Sequence, residues 1–183
     1  MLQRIAGFLI TVLFCLPSLS TEIPIDKDVQ IISIQSVDGE VVVEPKQGDQ
    51  LSLRVRKTLP AKASSDIKDA NESWVVRWEK EGSKLIVKVE PQVINVFGSE
   101  YLGGWPRFTL QIAAPQKPLE IISRKGNISV ANWQHGISAT VLDGTIDIKK
   151  SRGDLQLSLQ QANFVSTIMK GPLMLITTKL KLQ

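Results

Sequence analysis

Past residue 20 the chain alternates between apolar and polar positions with a period of two. Ile32-Ser33-Ile34-Gln35, Val41 to Val43, Leu51-Ser52-Leu53-Arg54-Val55 and Leu85-Ile86-Val87-Lys88-Val89 are short β-branched or leucine-rich runs. Asp38-Gly39, Gln47-Gly48 and Glu81-Gly82-Ser83 bound them. Alternation of this kind gives a strand one buried and one solvated face, with turn residues between strands. Trp74, Val76 and Trp78 share one such face. No run after residue 20 carries the 3.6-residue spacing of an amphipathic helix, so the pattern predicts an all-β protein.

The second half adds a repeat. Turn signals stand at Lys125-Gly126, His135-Gly136, Asp143-Gly144, Arg152-Gly153, Gln161-Ala162 and Lys170-Gly171, at steps of 10, 8, 9, 9 and 9 residues. Two steps make 18, from 126 to 144, 144 to 162 and 153 to 171. Ile128-Val130, Ile137-Ala139-Val141, Ile146-Ile148, Leu155-Leu157-Leu159 and Leu173-Leu175 lie between the turns and offer one apolar row each. A coil with one inward row cannot bury its own apolar face, whereas stacked coils build a shared core. The expected fold is therefore all-β, with a right-handed β-solenoid or β-roll-like C-terminal half preceded by antiparallel strands. An antiparallel sandwich or meander with turns every 8 to 12 residues is the alternative. Arg152-Gly153-Asp154, a tripeptide known as an adhesion signal, falls in a slot shared with His135-Gly136-Ile137 and Lys170-Gly171-Pro172. Its glycine is explained by the corner.

The N-terminus changes the setting. Arg4, the uncharged run Ile5 to Leu16 and the small residues before Thr21 form a secretory signal pattern with cleavage expected after Ser20. The run is shorter than the roughly 20 apolar residues of a membrane span. Cys15 follows bulky Val12-Leu13-Phe14, which disfavours lipoprotein acylation, and it is the only cysteine of the chain. The expected mature protein, residues 21–183, is a single exported domain held by its core without disulfides. Within it, residues 60–73 (PAKASSDIKDANES) read as a flexible polar loop, and residues 120–183 approximately as the ladder. The formal charge of +4 is spread among apolar positions, as in Leu53-Arg54-Val55-Arg56, and is no basic patch, so nucleic acid is not an expected partner.

Little catalytic chemistry is on offer. His135 is the only histidine and sits in a turn slot. A zinc site or a Ser–His–Asp arrangement lacks the residues it needs, and no cofactor is expected. Asp143, Asp147 and Asp154 are the acids of the repeat, and they keep a carbohydrate-active enzyme on a β-helix as the alternative reading. Phe97-Gly98-Ser99-Glu100-Tyr101-Leu102-Gly103-Gly104-Trp105-Pro106 places aromatics in a glycine-rich connection that either caps the ladder or contacts a ligand. Tyr101, Trp105 and, beside a turn, Trp133 are the candidate ligand-binding residues; no catalytic or metal-binding residue is expected.

Residues 30 to 183 resemble the bacterial putative-adhesin family of cell-envelope proteins, whose domains are β-solenoids of unknown function. The resemblance rests on Phe108-Thr109-Leu110-Gln111-Ile112-Ala113-Ala114-Pro115, Leu119-Glu120-Ile121, Lys125-Gly126-Asn127-Ile128, Asp143-Gly144 and the entry run Val37 to Val43. It implies a periplasmic or cell-surface location and a non-catalytic role as adhesin-like scaffold or binding module for an envelope glycan or protein. Gln161-Ala162-Asn163 departs from the pattern by lacking glycine. The alternation at Lys179-Leu180-Lys181-Leu182 leaves an open strand that suggests self-association through the C-terminal edge.

Overall fold

The computed structural model describes residues 19–58, 74–91, 107–167 and 170–177. Residues 1–18 of the expected signal segment 1–20, the 60–73 loop and the 97–106 connection with Tyr101 and Trp105 lie outside the described residues, whereas Leu19 and Ser20 of that segment pair with Val55 and Arg54. Ten strands follow one another: β1 (Leu19–Pro24), β2 (Ile31–Pro45), β3 (Gln50–Thr58), β4 (Trp74–Glu81), β5 (Lys84–Pro91), β6 (Arg107–Ala114), β7 (Leu119–Ala131), β8 (Ile137–Lys149), β9 (Leu155–Thr167) and β10 (Leu173–Thr177). No helix occurs among the described residues. The strands form one mixed sheet in the order β1-β3-β6-β2-β7-β8-β9-β10, with β5 and then β4 branching from β2.

The 18-residue period is a spatial one. Leu119 pairs with Ile137, Ile137 with Leu155 and Leu155 with Leu173, all in parallel. The apolar rows stack accordingly: Leu119, Ile137 and Leu155 are at most 3% exposed, and Ile121, Ala139 and Leu157 at most 1%. Each rung thus repeats the same side chain positions one coil later, which is what lets a single-faced strand bury its apolar row.

The glycine recurrence has two structural meanings. Gly126 and Gly144 lie in the middle of the continuous 13-residue strands β7 and β8, where the rung bends, while Gly153 and Gly171 lie between strands. Gly39, Gly126 and Gly144 stack with φ of 130°, 136° and 132°. A Cβ on Gly126 would stand 1.6 Å from the Gly39 carbonyl oxygen, so backbone approach excludes any side chain. Ala162 takes this place in β9 without a positive φ, and the rung continues through it. Gly136 is not in the slot of Gly153. Ile137 pairs with Leu155, which sets Gly136 beside Asp154 and His135 beside Gly153. With His135 as the corner position, every corner step is nine residues, half a coil.

The part ahead of the ladder differs from a purely antiparallel entry. β1–β3, β3–β6 and β4–β5 are antiparallel, but β2 is parallel to β7 and forms the first rung, with Ile32 opposite Leu119. Its apolar row Ile32, Ile34, Val41 and Val43 is wholly buried, matching the rows of the coils it supports. β2 divides its pairing at the Gly39 bend. Ile31 to Gln35 pair with β5, and Gly39 to Pro45 with β6. Both arms contribute to one core, in which Phe108, Leu110 and Ile112 of β6 join Val87 of β5 and Ile128 and Ile146 of the ladder.

Candidate functional site

A polar cleft of about 350 Å³ lies on the solvent side of β1, β3, β6 and β2. Strand alternation builds it. Leu51, Leu53 and Val55 of β3 are buried, which turns Ser52 and Arg54 outward. The same alternation turns out Ser20 and Glu22 of β1, Gln111 of β6, and Val42 and Glu44 of β2. Register sets these side chains in two rows: Ser20, Arg54, Gln111 and Val42, then Glu22, Ser52, Ala113 and Glu44. Three strand spacings of roughly 4.8 Å separate the Glu22 and Glu44 backbones, about 14 Å in all.

One side of the cleft is pre-organised. The Ser52 hydroxyl donates to Glu22 Oε1 at 2.7 Å, and the Lys46 ammonium donates to Glu22 Oε2 at 2.7 Å and to Ser52. The lysine hydrogen bond, then that of Ser52, holds the Glu22 carboxyl below its usual range, so it is an anion at neutral pH. Arg54, Gln111 and Glu44 are exposed across the cleft. The cleft thus sets the Arg54 guanidinium, the Gln111 amide and the Glu44 carboxylate beside the Glu22–Ser52–Lys46 group, a mixture of donors and acceptors that suits a hydroxyl-rich ligand. Among the described residues no group of three or more His, Cys, Asp or Glu could hold a metal ion.

A second, less polar cleft of about 300 Å³ involves Gln35, Lys88, Ile122, Arg124, Thr140 and Leu142. Ile122 and Leu142 are each 41% exposed.

Among the described residues, Trp133, Asp143, Asp147 and Asp154 line neither cleft. Trp133 is fully buried, and its indole Nε1 donates to the Lys117 carbonyl at 3.0 Å. It sits at the coil connection, where its own N–H reaches Ser151 Oγ one coil on, and it presents no ring face to solvent. Asp143 and Asp154 are exposed, and Asp147 pairs with Lys149 at 2.6 Å. The Arg152-Gly153-Asp154 backbone is laced into the stack. Arg152 N–H donates to Trp133 O, Gly153 N–H to Lys170 O, and Asp154 O accepts from Ile137 N–H. The cleft residues were missed because they come from four strands with no local motif; only the outward positions of each alternation hint at them.

No family model matches the chain, and no curated protein matches it. Among solved structures it is similar to one described as a "putative cell adhesion protein" from Clostridium sporogenes, with a TM-score of 0.42 and 7% identity over 88% of this chain and 98% of that chain. It is also similar to a "putative adhesin" from Bacteroides fragilis, with a TM-score of 0.26 and 9% identity over 88% of this chain and 97% of that one. Likenesses at this level carry no argument about function, and the family resemblance stays a resemblance.

Proposed function

We propose that this chain is an exported cell-envelope protein, an adhesin-like binding module that recognises an envelope glycan without an enzymatic step. In this reading the parallel ladder is a right-handed β-solenoid that serves as a rigid support. The observation that carries the reading is the polar cleft, where Glu22, Ser52, Arg54, Gln111 and Glu44 project from adjacent strands. Glycan hydroxyls both donate and accept, and a face supplying carboxylates, a guanidinium, an amide and a hydroxyl satisfies both roles. Fixed backbones limit the ordering cost of binding. Cleavage after Ser20 would remove one of the nine lining residues and leave Glu22, Ser52, Arg54, Gln111 and Glu44 in place. Tyr101 and Trp105 remain proposed contributors from the 97–106 connection.

Co-sedimentation with purified envelopes tests the proposal. Saturable binding by the wild type that Arg54→Ala and Gln111→Ala each weaken, with unchanged melting temperatures, is the expected result. Equal binding by all three proteins would remove the cleft from recognition. Release of reducing sugar from the envelopes by the wild type would replace the binding reading with the enzymatic one.

A further inference from the structure

Among the described residues β10 is the last rung, and it pairs with β9 on one side only. Leu173, Met174, Leu175 and Ile176 are 49%, 55%, 46% and 54% exposed, four large apolar side chains in succession. No charged residue lies between Lys170 and Lys179. The edge strand β4 is different: Arg77, Glu79, Lys80 and Glu81 stud it with exposed charge. Natural sheets guard free edges with such charges because an unguarded strand pairs with another chain. β10 has the character of a strand meant to be covered.

Its backbone specifies how. The Leu155 N–H donates to the Pro172 carbonyl, so the polar groups of Pro172, Met174 and Ile176 face β9. Those of Leu173, Leu175 and Thr177 face the free edge. We propose that a second copy of this chain docks there, β10 against β10 in antiparallel register about a twofold axis at Leu175. In that register Leu175 meets the partner's Leu175, and Leu173 meets the partner's Thr177. Every edge-facing N–H and C=O finds a counterpart, about six hydrogen bonds in all. Leu173 and Leu175 continue the apolar rows of Leu155 and Leu157, and Met174 meets Ile176 on the other face. An isologous contact of this kind closes at two copies and does not propagate into a fibre. β10 and β1 lie at opposite ends of the strand order, so the dimer leaves the polar cleft uncovered. If the glycan reading holds, the dimer carries two such clefts and gains avidity on a surface.

Single cysteines in a Cys15→Ser background test the contact in the purified full chain. Hydrogen-bonded antiparallel partners lie about 5.5 Å apart at Cα, within disulfide reach. Leu175→Cys is expected to become mostly a covalent dimer under mild oxidation, while Glu79→Cys on β4 stays monomeric. By sedimentation velocity the cysteine-free protein should dimerise, and Leu175→Lys, which opposes two ammonium groups, should weaken the dimer at least tenfold. A monomer at concentrations up to roughly 100 µM, or equal cross-linking at both positions, would overturn the proposal.

Discussion

Replacing Gly126 by alanine separates two costs that glycine ordinarily hides together. At φ 136° an L side chain is strained wherever it stands, and such backbone costs about 1–3 kcal/mol. The new Cβ would also lie 1.6 Å from Gly39 O and 2.7 Å from Gly39 C, both backbone atoms of the adjacent rung. No rotamer change relieves that contact. The β2–β7 rung must open by more than an ångström, which breaks hydrogen bonds whose N–H···O distances tolerate a few tenths. Overpacking in a core that can adjust costs about 1–3 kcal/mol, and this site adjusts less, so the total should exceed about 4 kcal/mol. Gly48 supplies the control, with φ 98° and nothing within 4 Å of an added Cβ. Gly48→Ala should lose only the conformational part, about 1–3 kcal/mol. Urea unfolding of the two variants beside the wild type measures the difference. Values within about 1 kcal/mol of each other would refute the close stacking of Gly39, Gly126 and Gly144.

Three further outcomes are expected. Trp133→Ala should cost about 3–5 kcal/mol by chemical denaturation, because a fully buried indole leaves a cavity between coils. Trp133→Phe, which deprives Lys117 O of its donor, should cost about 1–3 kcal/mol. Glu120 gives a pH dependence. Lys84 Nζ reaches its Oε2 at 2.8 Å and is the main cause of its lowered pKa; the Ser33 hydroxyl lies beside it without a hydrogen bond of good geometry. Folding thus makes Glu120 release its proton more readily, and the unfolded chain binds more protons in that interval. The stabilisation is complete above the ordinary carboxylate value of 4.5 and fades as pH falls through the lowered one. The pair is partly solvated, so Glu120→Gln should cost less than about 1 kcal/mol at pH 7 and flatten the acid limb of a melting-temperature profile.

Period and apolar rows were legible because parallel stacking repeats the same local requirement every 18 residues. Leu119, Ile137, Leu155 and Leu173 announce their shared column before any coordinates. The two kinds of glycine corner were not separable: a turn between strands and a bend within one both call for positive φ, as at Gly153 and Gly144. The one-residue offset of Gly136 hid the even nine-residue step. β2 was read as an entry strand because nothing local reveals a partner 87 residues away, the distance from Ile32 to Leu119. Trp133 looked superficial between Asn132 and Gln134, both exposed, yet it is the one residue of that connection turned into the stack. The polar cleft is the least legible feature, since the pairing of Glu22 with Ser52 and of Arg54 with Gln111 exists only once β1, β3 and β6 are in register.

The most direct test of the glycan-binding account is an amide NMR titration of the protein with oligosaccharides released from its own envelope. The account predicts saturable shifts at Glu22, Ser52, Arg54 and Gln111, absent in Arg54→Ala. Saturable shifts confined to other parts of the sheet, or none at millimolar oligosaccharide, would contradict it.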